Sequence, residues 1–425
     1  MKYKLSIYNN IFSFESKKYL YNSHSGAFFS MDSDLDYYLT HIGNTENVET
    51  NSAFTFLREK GIIVPQCLDE FGQFRMRGLY NQFDTHPRQI SFVILTTTAC
   101  NYRCFYCYQD GVQGQHMTTE TQNAVIKFVC QSIDNTGCAS IRITWFGGEP
   151  LLNQACIEHI SEQIIPYCHE RSIEYSASII SNGSLIDKSF IDKFQAYHIQ
   201  NIQITVDGTA PTYCVYKGSS HKDYCAVAKN LLSLSQVTCL DIRLNTDGEN
   251  YPQIKSFVKE IIAAGICIPN TNFYLAKIYD SSWKNNKVFS DLQIDFLSFL
   301  FQNELYKNIF AYLPKSKYIS CGLMQQCSAV IDVDGALLRC EHYVGNCDEV
   351  IGTVFEGRFF NDGDYKFIDD PIPKRCKVCS MYPICRRGCA QLRIDKKTSD
   401  NCLAFKNFVE KTLLYISKSL RQSGK

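Results

Sequence analysis

Cys100-Asn101-Tyr102-Arg103-Cys104-Phe105-Tyr106-Cys107 stands a few residues after the apolar run Phe92-Val93-Ile94-Leu95. The run reads as a strand, so the three cysteines, spaced C-x3-C-x2-C, fall on a loop at its C-terminal end. A loop can wrap three thiolates around one face of a metal cluster; a regular helix or strand cannot easily do so. Three thiolates on a four-iron cluster leave one iron open, where most iron–sulfur proteins supply a fourth Cys. The missing fourth thiolate points to a site that binds something else. A structural zinc site or scattered free thiols also fit the triplet taken alone.

Outward from the triplet, strands alternate with helices. Ser91–Thr97, Ile141–Phe146, Tyr175–Ser181, Asn201–Val206, Leu240–Asn245 and Asn272–Ile278 read as strands, and segments such as Thr119–Asp134 and Asn153–Arg171 have helical length and period. This pattern means parallel β/α units, whose chemistry gathers at the C-terminal strand ends in a barrel. Gly147-Gly148-Glu149-Pro150 follows the second strand. Two glycines allow close backbone approach to a ligand, and a carboxylate can bind an ammonium. Ser181-Asn182-Gly183 ends the third strand and Val206-Asp207-Gly208 the fourth, each also ordinary turn chemistry. Arg243 and Asn245 alternate on the fifth strand and so share a face, either as ligand contacts or as a buried hydrogen-bonded pair.

The triplet, with Tyr106 as the aromatic before its last Cys, resembles the signature of the radical SAM superfamily, and GGEP one β/α unit later corroborates it. The resemblance implies a partial (β/α)6 barrel over residues 90–280. It implies a [4Fe-4S] cluster on Cys100, Cys104 and Cys107 whose open iron is chelated by S-adenosylmethionine. Reductive cleavage would then release a 5′-deoxyadenosyl radical. Tyr106, Gly147, Gly148, Glu149, Pro150, Ser181, Asn182 and Arg243 become candidate cofactor contacts, GGEP at the methionine amino group. The electron donor implied is a reduced flavodoxin or ferredoxin.

The last hundred residues carry a second array: Cys321-x5-Cys327, Cys340 after the hairpin turn Asp332-Val333-Asp334-Gly335, then Cys376-x2-Cys379-x5-Cys385-x3-Cys389 and Cys402. Eight cysteines make two sets of four, enough for two fully ligated sites, and S4 sites suit zinc or iron–sulfur alike. The array resembles the SPASM extension of radical SAM peptide maturases. That resemblance assigns Cys321, Cys327, Cys340 and Cys389 to one auxiliary [4Fe-4S] cluster and Cys376, Cys379, Cys385 and Cys402 to another. Cys340-Glu341-His342-Tyr343-Val344 resembles the stretch in anaerobic sulfatase-maturing enzymes where an Asp after the cysteine takes a proton from the substrate. Glu341 is one methylene longer, which alters its reach as a general base; a supporting or surface carboxylate is the other reading. Ten further cysteines, Cys67, Cys130, Cys138, Cys156, Cys168, Cys214, Cys225, Cys239, Cys267 and Cys347, lie outside both patterns and are expected to be mostly small buried hydrophobes.

Residues 1–85 read as short strands (Lys4–Tyr8, Ile11–Glu15, Tyr19–Met31) and two short helices, one capped by Asp32 or Ser33, the other about Ser52–Lys60 and ending at Gly61. This resembles the winged-helix-like module with which peptide-modifying radical enzymes hold a leader segment as an added edge strand; a packing extension of the barrel is the alternative. Residues 281–320 form a linker region with an amphipathic helix over Phe289–Leu305. Residues 321–405 form the SPASM domain and residues 406–425 a C-terminal helix. The fold expected is therefore α/β.

Composition bounds the function. The 425 residues carry 43 Lys+Arg and 43 Asp+Glu, a neutral balance that argues against a nucleic-acid surface. No apolar signal opens the chain and no run of eighteen apolar residues spans a membrane, so a cytoplasmic location is expected. There, 21 cysteines read as metal ligands rather than disulfides. The expectation is a radical SAM maturase acting on a precursor peptide or protein, with a thioether or carbon–carbon crosslink as product. Sulfatase maturation, oxidising Cys or Ser to formylglycine, is the alternative reaction; a zinc-binding structural or nucleic-acid module is the alternative of another class.

Overall fold

The computed structural model describes residues 2–14, 16–42, 52–278, 286–306, 309–358, 365–367, 371–395 and 402–422. The chain divides into two compact units, Met1–Phe83 with Ile309–Cys321 and Asp370–Lys425, and Asp84–Asn308 with Gly322–Asp369. The segment 321–405, read from sequence as one domain, is thus split between them.

In the first unit, β1 (Tyr3–Leu5) pairs with β5 (Ile63–Pro65), and β2 (Asn9–Phe14), β3 (Lys17–Asn22) and β4 (Phe28–Met31) form an antiparallel sheet. The turn chemistry at 22–26 cuts the expected Tyr19–Met31 strand in two, with Gly26 at φ +77°. Asp32 caps the helix Ser33–Thr40 by accepting from the Leu35 N–H. A helix over Glu70–Phe83 was not foreseen, because its apolar positions are interrupted by Arg75, Arg77 and Gly78. Leu20, Met31, Leu39, Phe54, Leu57, Ile62 and Ile63 make one core. Tyr21 joins Met381, Ile384, Val409 and Leu413 in another, so the N-terminal sheet and the C-terminal cysteine segment share an interior.

The second unit is built on a ten-stranded sheet. Its parallel part is β6 (Gln89–Thr97), β7 (Ser140–Gly147), β8 (Glu174–Ser181), β9 (Ile199–Val206), β10 (Cys239–Thr246) and β11 (Thr271–Lys277), adjacent in sequence order. Strands laid down in order with intervening helices are the topology of a barrel rather than of a doubly wound sheet. Among the described residues β11 does not pair with β6. Instead β12 (Ala329–Ile331) pairs parallel to β6, and β13 (Ala336–Leu338), β14 (Gly352–Thr353) and β15 (Gly357–Arg358) extend the sheet antiparallel. The α/β partial barrel expected from sequence is present, with its sheet lengthened by the residues after 321.

Alternation along β7 to β10 gives the sheet two different faces. Ile141, Ile143, Trp145, Ile179, Ile202, Ile204, Ile242 and Leu244 are fully buried on one. The other is polar and satisfied across strands: Thr144 bonds Ser178 (3.0 Å), Asn201 and Asn272 both donate to Asp241 (2.9 and 3.1 Å), and Tyr274 donates to Gln203 (2.7 Å). Helices Thr119–Thr136 and His221–Ser235 start on Thr118 and on a Ser220/Asp223 capping box. Among the described residues no helix is long and apolar enough to cross a membrane.

Candidate functional site

The cysteine loop begins where β6 ends and is stitched back onto that strand. Thr98 donates through its hydroxyl to the Gln113 carbonyl (2.6 Å), Thr97 to that of Gln115 (2.7 Å), and the Thr98 N–H to Gln115 as well (2.9 Å). Within the loop the Cys107 N–H donates to the Cys104 carbonyl (3.1 Å) and the Tyr102 N–H to Cys100 Sγ (3.4 Å). Burial raises the Cys104 thiol to about 11, with Lys217 pulling it down, and burial also raises Cys100. The three thiols lie within electrostatic reach of one another, while among the described residues no three His, Cys, Asp or Glu side chains close on a single ion. A four-iron cluster attaches each thiolate to a different iron, a donor set that three thiols on one loop supply.

Gly147 and Gly148 serve the loop's backbone. The Gly148 and Glu149 N–H groups donate to the carbonyls of Thr97 and Ala99 (both 2.9 Å). A Cβ on Gly147, at φ +147°, would lie 2.0 Å from the Thr97 oxygen, and one on Gly148 2.4 Å from that of Ala99. The close approach foreseen toward a ligand is, in the described residues, an approach to the cysteine loop. Gly147→Ala is expected to destabilise by about 3 kcal/mol or more. Gly137→Ala, at φ +60° with nothing within 4 Å, should cost only about 1–2 kcal/mol. Denaturant midpoints of the two variants side by side test this; equal losses would remove the steric argument.

Glu149 is fully enclosed. Its carboxylate accepts from Ser181 Oγ (2.9 Å) and from the N–H groups of Asn182 (2.8 Å) and Leu151 (3.2 Å). The side chain thus ties β7 to β8 instead of reaching out to an ammonium. Burial, opposed by those three hydrogen bonds, raises its carboxyl from 4.5 to about 7. A carboxyl with a raised folded pKa binds its proton more tightly in the folded state. Its contribution is therefore full below about 4.5 and is lost as pH rises through about 7. The stability difference between wild type and Glu149→Gln should fall by on the order of 2–3 kcal/mol from pH 5 to pH 8. A difference that stays flat across this range would disprove the shift.

Asn182 continues the tie to the loop, donating to Asn101 Oδ1 (2.8 Å), while Asn101 donates to Ser184 Oγ (2.9 Å). Tyr106 turns inward. Its hydroxyl donates to Asp207 Oδ2 (2.6 Å) and accepts from Lys217 Nζ (2.8 Å) and Asn245 Nδ2 (3.1 Å), and Arg243 Nε donates to Asn245 Oδ1 (2.9 Å). Arg243 and Asn245 do share a face, and Pro150 opens the short helix after Glu149. Tyr106, Gly147, Gly148, Glu149, Pro150, Ser181, Asn182 and Arg243 therefore gather at the C-terminal ends of β6 to β10 around the triplet. Lys217 and Asp207 were not singled out as site residues; Asp207 had only a turn-like Val-Asp-Gly signal, and Lys217 had none.

Glu341 and Cys340 also reach this end of the second unit. Glu341–Tyr343 is a single 3-10 turn, with Cys340 Sγ 3.9 Å from Glu341 Oε2. His342 stacks on Tyr108 at 4.1 Å between ring centroids. Tyr108 keeps 44 % of its surface accessible, yet enclosure and then Glu341 raise its phenol well above the ordinary value. Cys327 lies in the same unit, beside an apolar cavity lined by Phe92, Phe128, Ala329, Leu337 and Ile351.

In the first unit, Cys376, Cys379, Cys385 and Cys402 lie within electrostatic reach of one another. Between Cys385 and Cys389 the chain passes through three consecutive left-handed residues, Arg386, Arg387 and Gly388, a tight knuckle that ordinary sequences avoid. Arg386 holds it by donating to the Tyr382 hydroxyl (2.8 Å) and lying over the rings of Tyr382 and Phe74. Cys321 and Cys389 belong to this unit as well, Cys327 and Cys340 to the other. No disulfide joins any of the cysteines among the described residues, and of the ten outside the patterns only Cys138, Cys156 and Cys168 are buried. The expectation that most of the ten are buried is corrected: Cys67, Cys225 and Cys347 are exposed, their small thiols costing little in contact with water.

The family model described as the radical SAM superfamily matches residues 94–261. Over 358 residues the chain is 26 % identical to the cysteine-type anaerobic sulfatase-maturating enzyme of Clostridium novyi, covering 76 % of this chain and 95 % of that one. Over 169 residues it is 25 % identical to the radical SAM cyclopropyl synthase TigE of Paramaledivibacter caminithermalis, 36 % of this chain and 35 % of the other. Among solved structures, native anSMEcpe with bound AdoMet and Kp18Cys peptide superposes with a TM-score of 0.60 at 17 % identity, over 79 % of this chain and 99 % of that one. Streptococcus suis SuiB bound to precursor peptide SuiA gives 0.52 at 17 % identity, over 92 % and 96 %. These two likenesses are of fold. With the triplet inside the matched segment and the partial barrel around it, residues 94–261 form a radical SAM domain, and the chain is an enzyme similar to the sulfatase-maturating relative along most of that relative's length.

Proposed function

We propose that this enzyme modifies a ribosomally made precursor peptide, forming a thioether or carbon–carbon crosslink. The observation that carries the reading is coverage. The sulfatase-maturating fold is matched along 99 % of its own length yet spans 79 % of this chain, whereas SuiB, bound to a precursor peptide, spans 92 %. The surplus favours a peptide-modifying architecture with an added recognition module, the role proposed for residues 1–85. Formylglycine formation is the second reading, favoured by the 26 % identity along 95 % of the sulfatase-maturating relative.

When bound, a [4Fe-4S] cluster and S-adenosylmethionine supply a carbon radical able to abstract hydrogen. Cys100, Cys104 and Cys107 would hold that cluster. With its carboxylate enclosed, Glu149 would meet S-adenosylmethionine through main chain of the 147–150 stretch. Ser181 and Asn182 would fix the neighbouring loop, and Tyr106, Asn245 and Arg243 would form the polar floor. Glu341 would accept the proton that the substrate gives up. Cys321, Cys327, Cys340 and Cys389, and Cys376, Cys379, Cys385 and Cys402, would hold two auxiliary [4Fe-4S] clusters, with a reduced flavodoxin or ferredoxin as electron donor. The neutral charge balance favours a peptide over a nucleic-acid partner, and the place of action proposed is the cytoplasm, where 21 cysteines suit metal ligation.

The test offers the loaded enzyme a Cys-containing sulfatase-motif peptide and, separately, a small peptide encoded beside its gene. Loss of a hydrogen pair from the encoded peptide, with no hydrazide-reactive aldehyde on the other, is the expected result. Robust aldehyde formation on the sulfatase-motif peptide would replace crosslinking by formylglycine chemistry.

A further inference from the structure

Lysine is seldom enclosed without a partner, yet Lys217 is 3 % exposed and its Nζ sits 3.4 Å from Asp207 Oδ2, itself 0 % exposed. Its position relative to Cys104 explains why such a pair is kept. Lys217 ends the helix Ala210–Lys217, and its carbonyl accepts the Arg103 N–H (3.0 Å), on one side of Cys104. Its ammonium donates to the Tyr106 hydroxyl (2.8 Å), on the other side. Tyr216 adds a third tie, its carbonyl accepting the Phe105 N–H (3.3 Å). Gly218 permits this approach: a Cβ there would lie 2.6 Å from the Arg103 oxygen.

The anchor is rigid at its far end too. Lys217 Nζ also donates to Thr205 Oγ1 (2.8 Å) on β9, and the Tyr106 hydroxyl is held by Asp207 at the end of β9 and Asn245 on β10. Asp207 Oδ1 is enclosed with no hydrogen-bond partner, so the carboxylate depends on Lys217 for its compensating charge. Without the ammonium, a buried acid is left facing the Tyr106 hydroxyl and the side-chain tie after Cys104 weakens, while the backbone tie before it remains. Cys107, by contrast, is exposed and held by the loop's own turn.

We infer that Lys217 is a positioning residue for the cysteine loop: it clamps the backbone before Cys104 and the side chain after it, presetting the middle thiol for the metal. This rests on Cys100, Cys104 and Cys107 being the cluster ligands.

The experiment compares full-length wild type, Lys217→Met, Lys217→Arg and Tyr106→Phe after anaerobic reconstitution. It reads the EPR spectrum of the reduced protein with and without S-adenosylmethionine, together with iron content and unfolding midpoint. The S-adenosylmethionine-dependent spectral change is expected to fall about tenfold or more in Lys217→Met. Lys217→Arg, which keeps the charge, should lose less than about threefold, and Tyr106→Phe should fall between them. A full spectral change in Lys217→Met, or an arginine variant as impaired as the methionine one, overturns the inference. If Lys217→Met does not fold, Tyr106→Phe decides: an undiminished change there overturns it equally. A wild type whose spectrum ignores S-adenosylmethionine would overturn the ligand assignment itself and the inference with it.

Discussion

Replacing Cys104 with Ala in anaerobically loaded protein is expected to remove about four irons per chain and to bring S-adenosylmethionine cleavage below detection. The wild type should carry about twelve irons if the two C-terminal cysteine sets are loaded as well, leaving about eight in the variant. The reason is geometric. Cys104 is the middle thiol of the triplet, and Arg103, Phe105 and Tyr106 around it are held by Lys217 and Tyr216. The change removes a donor from a scaffold that stays in place. The auxiliary sets lie on other loops and should keep their metal. Iron unchanged in Cys104→Ala would show that the triplet is not the cluster site, and zinc with little iron in the wild type would remove the radical mechanism altogether.

Glu341→Gln is expected to lower peptide modification by about 10²–10⁴-fold, the usual worth of a positioned general base. S-adenosylmethionine cleavage should continue, so that 5′-deoxyadenosine accumulates without product. Gln keeps the shape and loses only the ability to take a proton. Glu341 sits one residue beyond Cys340 and acts electrostatically on Tyr108, next to Cys107. It therefore stands near the triplet even though 234 residues separate His342 from its stacking partner Tyr108. Glu341→Asp tests the extra methylene: partial activity would mean that reach, not charge alone, is tuned. Full activity in Glu341→Gln would return the residue to a supporting role.

The parts of the fold that could be read from sequence are those written in short-range signals. Period-two alternation in Ser140–Gly147 and its neighbours reports two unlike faces. Asp32 marks a helix start through a local hydrogen bond. The triplet is legible because three cysteines within eight residues fall on one loop after a strand.

Where a site is assembled from distant segments, the same signals say little. Tyr106 and Lys217 are 111 residues apart, Tyr106 and Asn245 139. No periodicity or spacing links them; they meet because enclosed polar groups must find partners. The Glu149 carboxylate reads from sequence as a ligand for an ammonium, and only the neighbouring Ser181 and Asn182 donors turn it inward. Residues 321–405 look continuous because their cysteine spacing is regular. Tertiary structure divides them, since β12 completes a hydrogen-bonded edge beside β6 while Met381 and Ile384 fill the core around Tyr21. By itself, then, the sequence determined the order of the β/α units, the strand end that carries the thiols, and the chemistry those thiols suit. Only the tertiary structure decided which buried charges pair beside the loop and that the Glu149 carboxylate turns inward. Hydrogen-bond satisfaction and packing in an enclosed interior depend on partners that chain distance does not reveal.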